Sequence, residues 1–189
     1  MNISQLPNLI TIARLALTPV FVLLVNDEDY ALALLVFGVA GVSDGIDGFI
    51  AKRFHFESRL GAILDPAADK ILLVSAYVML TVLGHLPLWL VIVVVFRDLL
   101  IVGGYLVYTS MYGPVHMRPS VLSKFNTLMQ ITLVVVVLLA QAIGAAYDTV
   151  IRLLAYAVLA TTVASGAHYL WTWGVMKDIE SARGSGRHE

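Results

Sequence analysis

The chain has 189 residues, 59% of them hydrophobic and 13% charged, with a mean hydropathy of +0.87, whereas an average soluble domain is about 45–50% apolar and about 25% charged. A formal net charge of -1 leaves no global basic field for nucleic acid, and the lack of cysteine excludes disulfides, thiolate nucleophiles and cysteine-held metals. The composition points to an all-α integral membrane bundle.

A helix that crosses hydrocarbon needs about 20 residues, and six segments approach that length. The first runs over about 6–25 and ends at the acidic turn NDEDY. Its opening, MNISQLPNLITIARL, lacks the basic stretch and small-residue cleavage site of a secretory leader and reads as the start of a span. The second begins near Tyr30 and runs through YALALLVFGVAGVS into DGIDG; the third covers about 60–83. The turn GHLP, with Pro87, introduces a fourth segment that reaches about Ser110. The fifth covers about 124–145 and the sixth about 149–173. The expected organisation is one six-helix membrane domain over 1–176 and a short, solvated or disordered tail over 177–189. Gly38, Gly41 and Gly45 in the second segment and Gly103-Gly104 in the fourth are expected to permit close helix packing.

Basic residues set the orientation. With a cytoplasmic N-terminus, the inner side holds Lys52, Arg53, Arg59, Arg118, Lys124, Lys177, Arg183 and Arg187. The outer turns hold Asp27, Glu28, Asp29 and Asp148, with Arg152 the only nearby basic residue. This asymmetry follows the positive-inside rule and puts both termini in the cytoplasm. The small size and the N-terminus lean toward a bacterial inner (cell) membrane.

The most informative stretch is GVSDGIDGFIAKRFHFESRLGAILDPAADK. Asp44 and Asp47 stand three apart at the inner end of the second helix; Asp65 and Asp69 stand four apart near the start of the third. Each spacing places a pair on one helical face, and the short connection makes the two helices neighbours. Clustered carboxylates repel one another and lose hydration at heavy cost, which a cation offsets. Oxygen donors favour magnesium, manganese or calcium. Gly45 and Gly48 leave room beside the first pair, and Lys52 lies about a turn beyond, within reach of phosphate charge. Three readings compete here: solvated headgroup-level acids, ion conduction, and chemistry on phosphate. Conduction requires polar residues through the bilayer depth, whereas these acids gather at one face. Intramembrane acids otherwise favour a functional site.

This stretch resembles the signature of the CDP-alcohol phosphatidyltransferases. It reads Asp44, Asp47-Gly48, Ala51-Lys52, Gly61, Asp65 and Asp69, with every interval matching and Lys52 where the family usually has Arg. Lysine keeps the charge and loses the bidentate fork. The resemblance implies a six-helix membrane catalytic domain, commonly a homodimer, with a cavity open to the cytoplasm. It implies Mg2+ or Mn2+ held by Asp44, Asp47 and Asp65, with Asp69 as the general base and a further metal contact. Gly48, Lys52 and Asp44 would bind the cytidine diphosphate part of CDP-diacylglycerol, whose phosphatidyl group passes to an alcohol as CMP leaves.

For the acceptor, Arg97-Asp98 and Ser123-Lys124-x-Asn126-Thr127 with Gln130 resemble the CMP-forming cardiolipin synthases, whose acceptor is phosphatidylglycerol. The opening PNLITIAR is shared with phosphatidylglycerophosphate synthases, which use glycerol-3-phosphate. Candidate acceptor-binding residues are Asn8, Thr11, Arg14, Arg97, Arg118, Lys124 and Asn126. Arg97, in the middle of an apolar segment, reads either as a cavity residue or as structurally paired; adjacent helical residues do not share a face, so a pair with Asp98 is not assumed. Lys70 is expected to balance local acidity in a structural role. The histidines show no zinc spacing; His168 reads as a packed polar residue, and Trp89, Trp171 and Trp173 as interfacial anchors.

Overall fold

A computed structural model describes residues 6–54, 61–112 and 120–185. Among them are six helices: α1 (Leu6–Asn26), α2 (Tyr30–Phe54), α3 (Gly61–Val82), α4 (Leu88–Tyr112), α5 (Val121–Ala142) and α6 (Asp148–Ser185). Each expected segment is one helix, because a long apolar run satisfies its backbone hydrogen bonds internally. The α1–α2 turn is tight. Glu28 takes the left-handed conformation (φ 61°) and the Asp29 carboxylate accepts from the Leu32 N–H at 3.2 Å, capping α2. Gly84 (φ 82°) and Gly144 (φ 63°) end α3 and α5, where a residue without Cβ avoids the left-handed penalty. Ser120 caps α5 by accepting from the Ser123 N–H at 3.1 Å.

The largest difference from expectation is at the C-terminus. α6 is 38 residues long and remains helical to Ser185, past the span expected to end near 173. The segment expected as a solvated or disordered tail is therefore helical over most of its length. KDIESAR is rich in good helix formers, and a helix already nucleated upstream extends at little cost.

α1 packs chiefly on α3 and α2, α5 on α6 and α2, and α4 on α6. Phe21, Val25, Tyr77, Leu80, Leu90, Leu133 and Leu138 are fully buried between these helices. Phe21 meets Phe37 with ring centroids 5.7 Å apart. Outward-facing positions are apolar too: Leu23, Leu35, Ile92, Phe96, Leu99 and Leu153 are all well exposed. So much apolar exterior suits a membrane-associated helical protein. Among the described residues, Val121–Ala142 and Asp148–Thr172 are long and apolar enough to cross a membrane; Ile12–Asn26, Tyr30–Ser43 and Lys70–Val82 are shorter apolar stretches.

The glycines depart from their expected role. A Cβ added at Gly38, Gly41 or Gly103 would meet nothing within 4 Å, so these positions do not serve close helix approach within the chain. Each opens onto empty space, Gly41 onto a cavity shared with α1, α3 and α5, a property that sequence spacing does not reveal.

Candidate active site

The four aspartates occupy adjoining ends of consecutive helices. Asp44 and Asp47 lie in the last turns of α2, and Asp65 and Asp69 in the first turns of α3. Their helical backbones preserve the three- and four-residue spacings, so each pair shares a helical face. Their side chains, like those of Asn8, Thr11 and Lys52 and the surroundings of Gly48, lie outside what the structure describes, and Arg118 lies outside the described residues altogether. No group of three or more His, Cys, Asp or Glu that could hold a metal occurs among the described residues. The four aspartates are nonetheless a donor set of hard oxygens, which fits magnesium or manganese chemically.

Immediately after Asp69 a described polar network begins, and it ties together four helices. Lys70 Nζ on α3 is 2.7 Å from Asp98 Oδ2 on α4. The other oxygen, Asp98 Oδ1, accepts from Arg97 Nη1 at 2.8 Å. Arg97 Nη2 donates to Ser123 Oγ on α5 at 2.6 Å and to Ser165 Oγ on α6 at 2.5 Å. Arg97 is only 5% exposed, so its charge is taken out of water and must be paired.

The geometry pairs Arg97 with Asp98, which their adjacent positions gave no reason to assume. Helical position fixes where a Cβ points, whereas the long arginine side chain carries its guanidinium beyond that direction to the neighbouring carboxylate. Lys70 does balance acidity, and its partner is Asp98.

The other candidates divide. Asn126 is fully buried, and its Oδ1 accepts from Thr161 at 2.8 Å and from Thr162 at 2.9 Å, joining α5 to α6. Gln130 is also fully buried, with its side-chain amide unpartnered among the described residues. Lys124 is exposed in the first turn of α5. Arg14 is buried and lines a cavity of about 190 Å³ with Phe37, Gly41, Lys70, Leu73 and Thr127. His168 is exposed instead of packed, edge-on to Tyr169. Trp89 and Trp171 are exposed, and Trp173 lies outside the described side chains.

A second cavity, of about 700 Å³, also meets Lys70. Arg97, Asp98, Ser123 and Thr127 line its polar part, and Ile71, Val74, Val95, Leu99 and Val102 form apolar walls. Lys70 and Thr127 are common to both cavities. Sequence reasoning missed Ser165, Thr161 and Thr162 as members of these networks. Their only signal is a cluster of small hydroxyl residues inside an otherwise apolar helix.

Comparison with known proteins agrees with the motif. The CDP-alcohol phosphatidyltransferase family pattern matches residues 4–171. Cardiolipin synthase (CMP-forming) of Rattus norvegicus is 33% identical over 184 residues, covering 89% of this chain and 61% of the relative. Cardiolipin synthase (CMP-forming) of Homo sapiens is 32% identical over 189 residues, covering 92% and 62%. The chloroplastic CDP-diacylglycerol–glycerol-3-phosphate 3-phosphatidyltransferase 1 of Oryza sativa subsp. japonica is 35% identical over 184 residues, covering 87% and 56%. The chain thus spans about three fifths of the length of these relatives. With a complete aspartate signature at the α2–α3 junction and a family match over nearly its whole length, the chain belongs to the CDP-alcohol phosphatidyltransferase family.

Proposed function

We propose that this chain transfers the phosphatidyl group of CDP-diacylglycerol to phosphatidylglycerol, giving cardiolipin and CMP. The observation that carries the acceptor assignment is the Arg97–Asp98–Ser123 network. These residues, by which the middle of the chain resembles cardiolipin synthases, join Lys70 beside Asp69. The apolar-walled cavity at the same place suits an acceptor that keeps its acyl chains out of water. Two relatives named cardiolipin synthase support the reading.

In this reading the chain is an integral membrane protein with six spans, a homodimer in a bacterial inner membrane, with termini and active site cytoplasmic. Asp44, Asp47, Asp65 and Asp69 would hold Mg2+ or Mn2+, which neutralises charge on the phosphoryl oxygens. Gly48 and Lys52 hold the cytidine diphosphate group, with Asp44 sharing that contact. The acceptor hydroxyl oxygen bonds to the phosphorus that carries diacylglycerol, and the bond from that phosphorus to CMP breaks. Asp69 takes the hydroxyl proton. Positioning and electrostatics supply most of the rate, with no covalent enzyme intermediate.

A second reading, transfer to glycerol-3-phosphate, is favoured by the rice relative, whose name specifies that acceptor. The test supplies purified protein with CDP-diacylglycerol and Mg2+ or Mn2+, and either phosphatidylglycerol or glycerol-3-phosphate. Cardiolipin formed only with the first supports the proposal. Phosphatidylglycerophosphate formed only with the second overturns it, and CMP release that persists in Asp69→Asn overturns the base assignment.

A further inference from the structure

We infer that Lys70 binds the acceptor's phosphate group, that Asp98 is the residue that positions Lys70 for this, and that the site therefore selects alcohols carrying a phosphate on a short glycerol arm. The inference rests on the transferase reading and specifies its acceptor subsite.

Charge is the first argument. Lys70 and Arg97 share one carboxylate, that of Asp98, so the trio carries one surplus positive charge. Asp98 alone does not neutralise both cations, so the partly exposed member of the trio keeps charge with which to hold an anion. Geometry decides which cation meets that anion. Arg97 is buried, and both of its Nη atoms are taken by Asp98, Ser123 and Ser165. The Lys70 side chain is 38% exposed and borders both cavities, so it is the accessible cation of the trio. Lysine has three donors, and one directed at Asp98 leaves two for phosphate oxygens.

Register supplies the specificity. Lys70 follows Asp69 directly, so the two positions are about 100° apart around α3. The flexible lysine stem crosses part of that angle, as the Arg97 side chain does toward Asp98, so a phosphate held by Lys70 lies a short arm away from the Asp69 position. A glycerol arm between the phosphate and the attacking hydroxyl bridges that offset. Phosphatidylglycerol and glycerol-3-phosphate both have such an arm, whereas an alcohol without phosphate has nothing to place at Lys70.

The experiment measures steady-state kinetics of the full chain with both acceptors and, separately, acceptor binding. Phosphatidylglycerol retention is read by native mass spectrometry and glycerol-3-phosphate binding by calorimetry, with neutral diacylglycerol as control. Lys70→Met is expected to raise the acceptor KM about tenfold or more, the loss of a charge-assisted hydrogen bond, with the KM for CDP-diacylglycerol within about twofold. Lys70→Arg should recover most of that loss. Asp98→Asn should raise the acceptor KM less than Lys70→Met, and the double variant should be no worse than Lys70→Met alone. A Lys70→Met variant that loses kcat at unchanged acceptor KM, or loses both KM values equally, overturns the inference. If the wild type transfers to neither acceptor, the transferase reading falls and binding decides the subsite. Anionic acceptor bound by wild type and lost in Lys70→Met upholds it; equal binding, or none to wild type, overturns it.

Discussion

Removing the Asp98 carboxylate should unfold the chain at markedly lower temperature, because it strands a buried guanidinium. Truncating one partner of a buried ion pair costs about 3–5 kcal/mol. Arg97 is buried, but Nη2 keeps Ser123 and Ser165 as acceptors, which puts the loss near the lower end of that range. The Lys70 half of the network has a side chain 38% exposed, so screening by solvent limits its contribution to about 1 kcal/mol or less. Asp98→Ala is thus expected to cost about 3–4 kcal/mol, Asp98→Asn about half of that because its amide oxygen still accepts from Nη1, and Lys70→Met about 1 kcal/mol or less. At about 2–4 °C per kcal/mol for a chain of this size, Asp98→Ala lowers the Tm by about 6–16 °C. Thermal unfolding in detergent, followed by size-exclusion fluorescence, measures this. An Asp98→Ala protein that melts within about 2 °C of wild type would refute the argument that Arg97 depends on this partner. So would a Lys70→Met protein as destabilised as Asp98→Ala, since the exposed half of the network would then carry the energy.

Asp69→Asn should lower CMP release by about a hundredfold or more with an unchanged Tm, the usual scale for a lost general base; a fall in Tm of the Asp98→Ala size would mark it as structural. Chelation with EDTA should stop CMP release, and added Mn2+ or Mg2+ should restore it; full activity in excess chelator would remove the metal from the proposal. Asn126→Leu deletes the acceptor of the Thr161 and Thr162 hydroxyls, two interhelical bonds worth about 1–2 kcal/mol together, and should lower the Tm without altering either substrate KM. At the opposite end of the bundle, burial holds the His85 imidazole below its ordinary range, beside the Tyr30 hydroxyl at 2.8 Å. The unfolded chain binds this proton first, at about pH 6.5. The stability of the neutral pair is therefore present above that pH and falls as pH drops toward the lower folded value. The Tm should decline between about pH 7 and 5 more in wild type than in His85→Leu; parallel profiles would exclude His85 as the cause.

Much of this protein is legible in the local periodicity of its residues. Apolar runs define six helices, two of them long and apolar enough among the described residues to cross a membrane, because each run satisfies its own backbone hydrogen bonds without help from distant residues. The aspartate spacings are local as well, so the positions of Asp44, Asp47, Asp65 and Asp69 on two adjoining helix ends follow from counting. Burial and partnership are not local. Neither the enclosure of Arg97 by Ser123 and Ser165 nor the reach of its guanidinium to Asp98 is written in helical spacing. Both depend on α4, α5 and α6 meeting at one depth and on a flexible side chain crossing the gap. The same reason explains why Asn126 joins α5 to α6 through hydroxyls that the sequence does not single out, and why Gly38, Gly41 and Gly103 face open space. Which residues could attract a cation or a phosphate is readable from their type and spacing. Which of them remain accessible, as Lys70 does beside the buried Arg97, only the packing of the helices decides, because a charge in a low-dielectric interior is held wherever its partners converge.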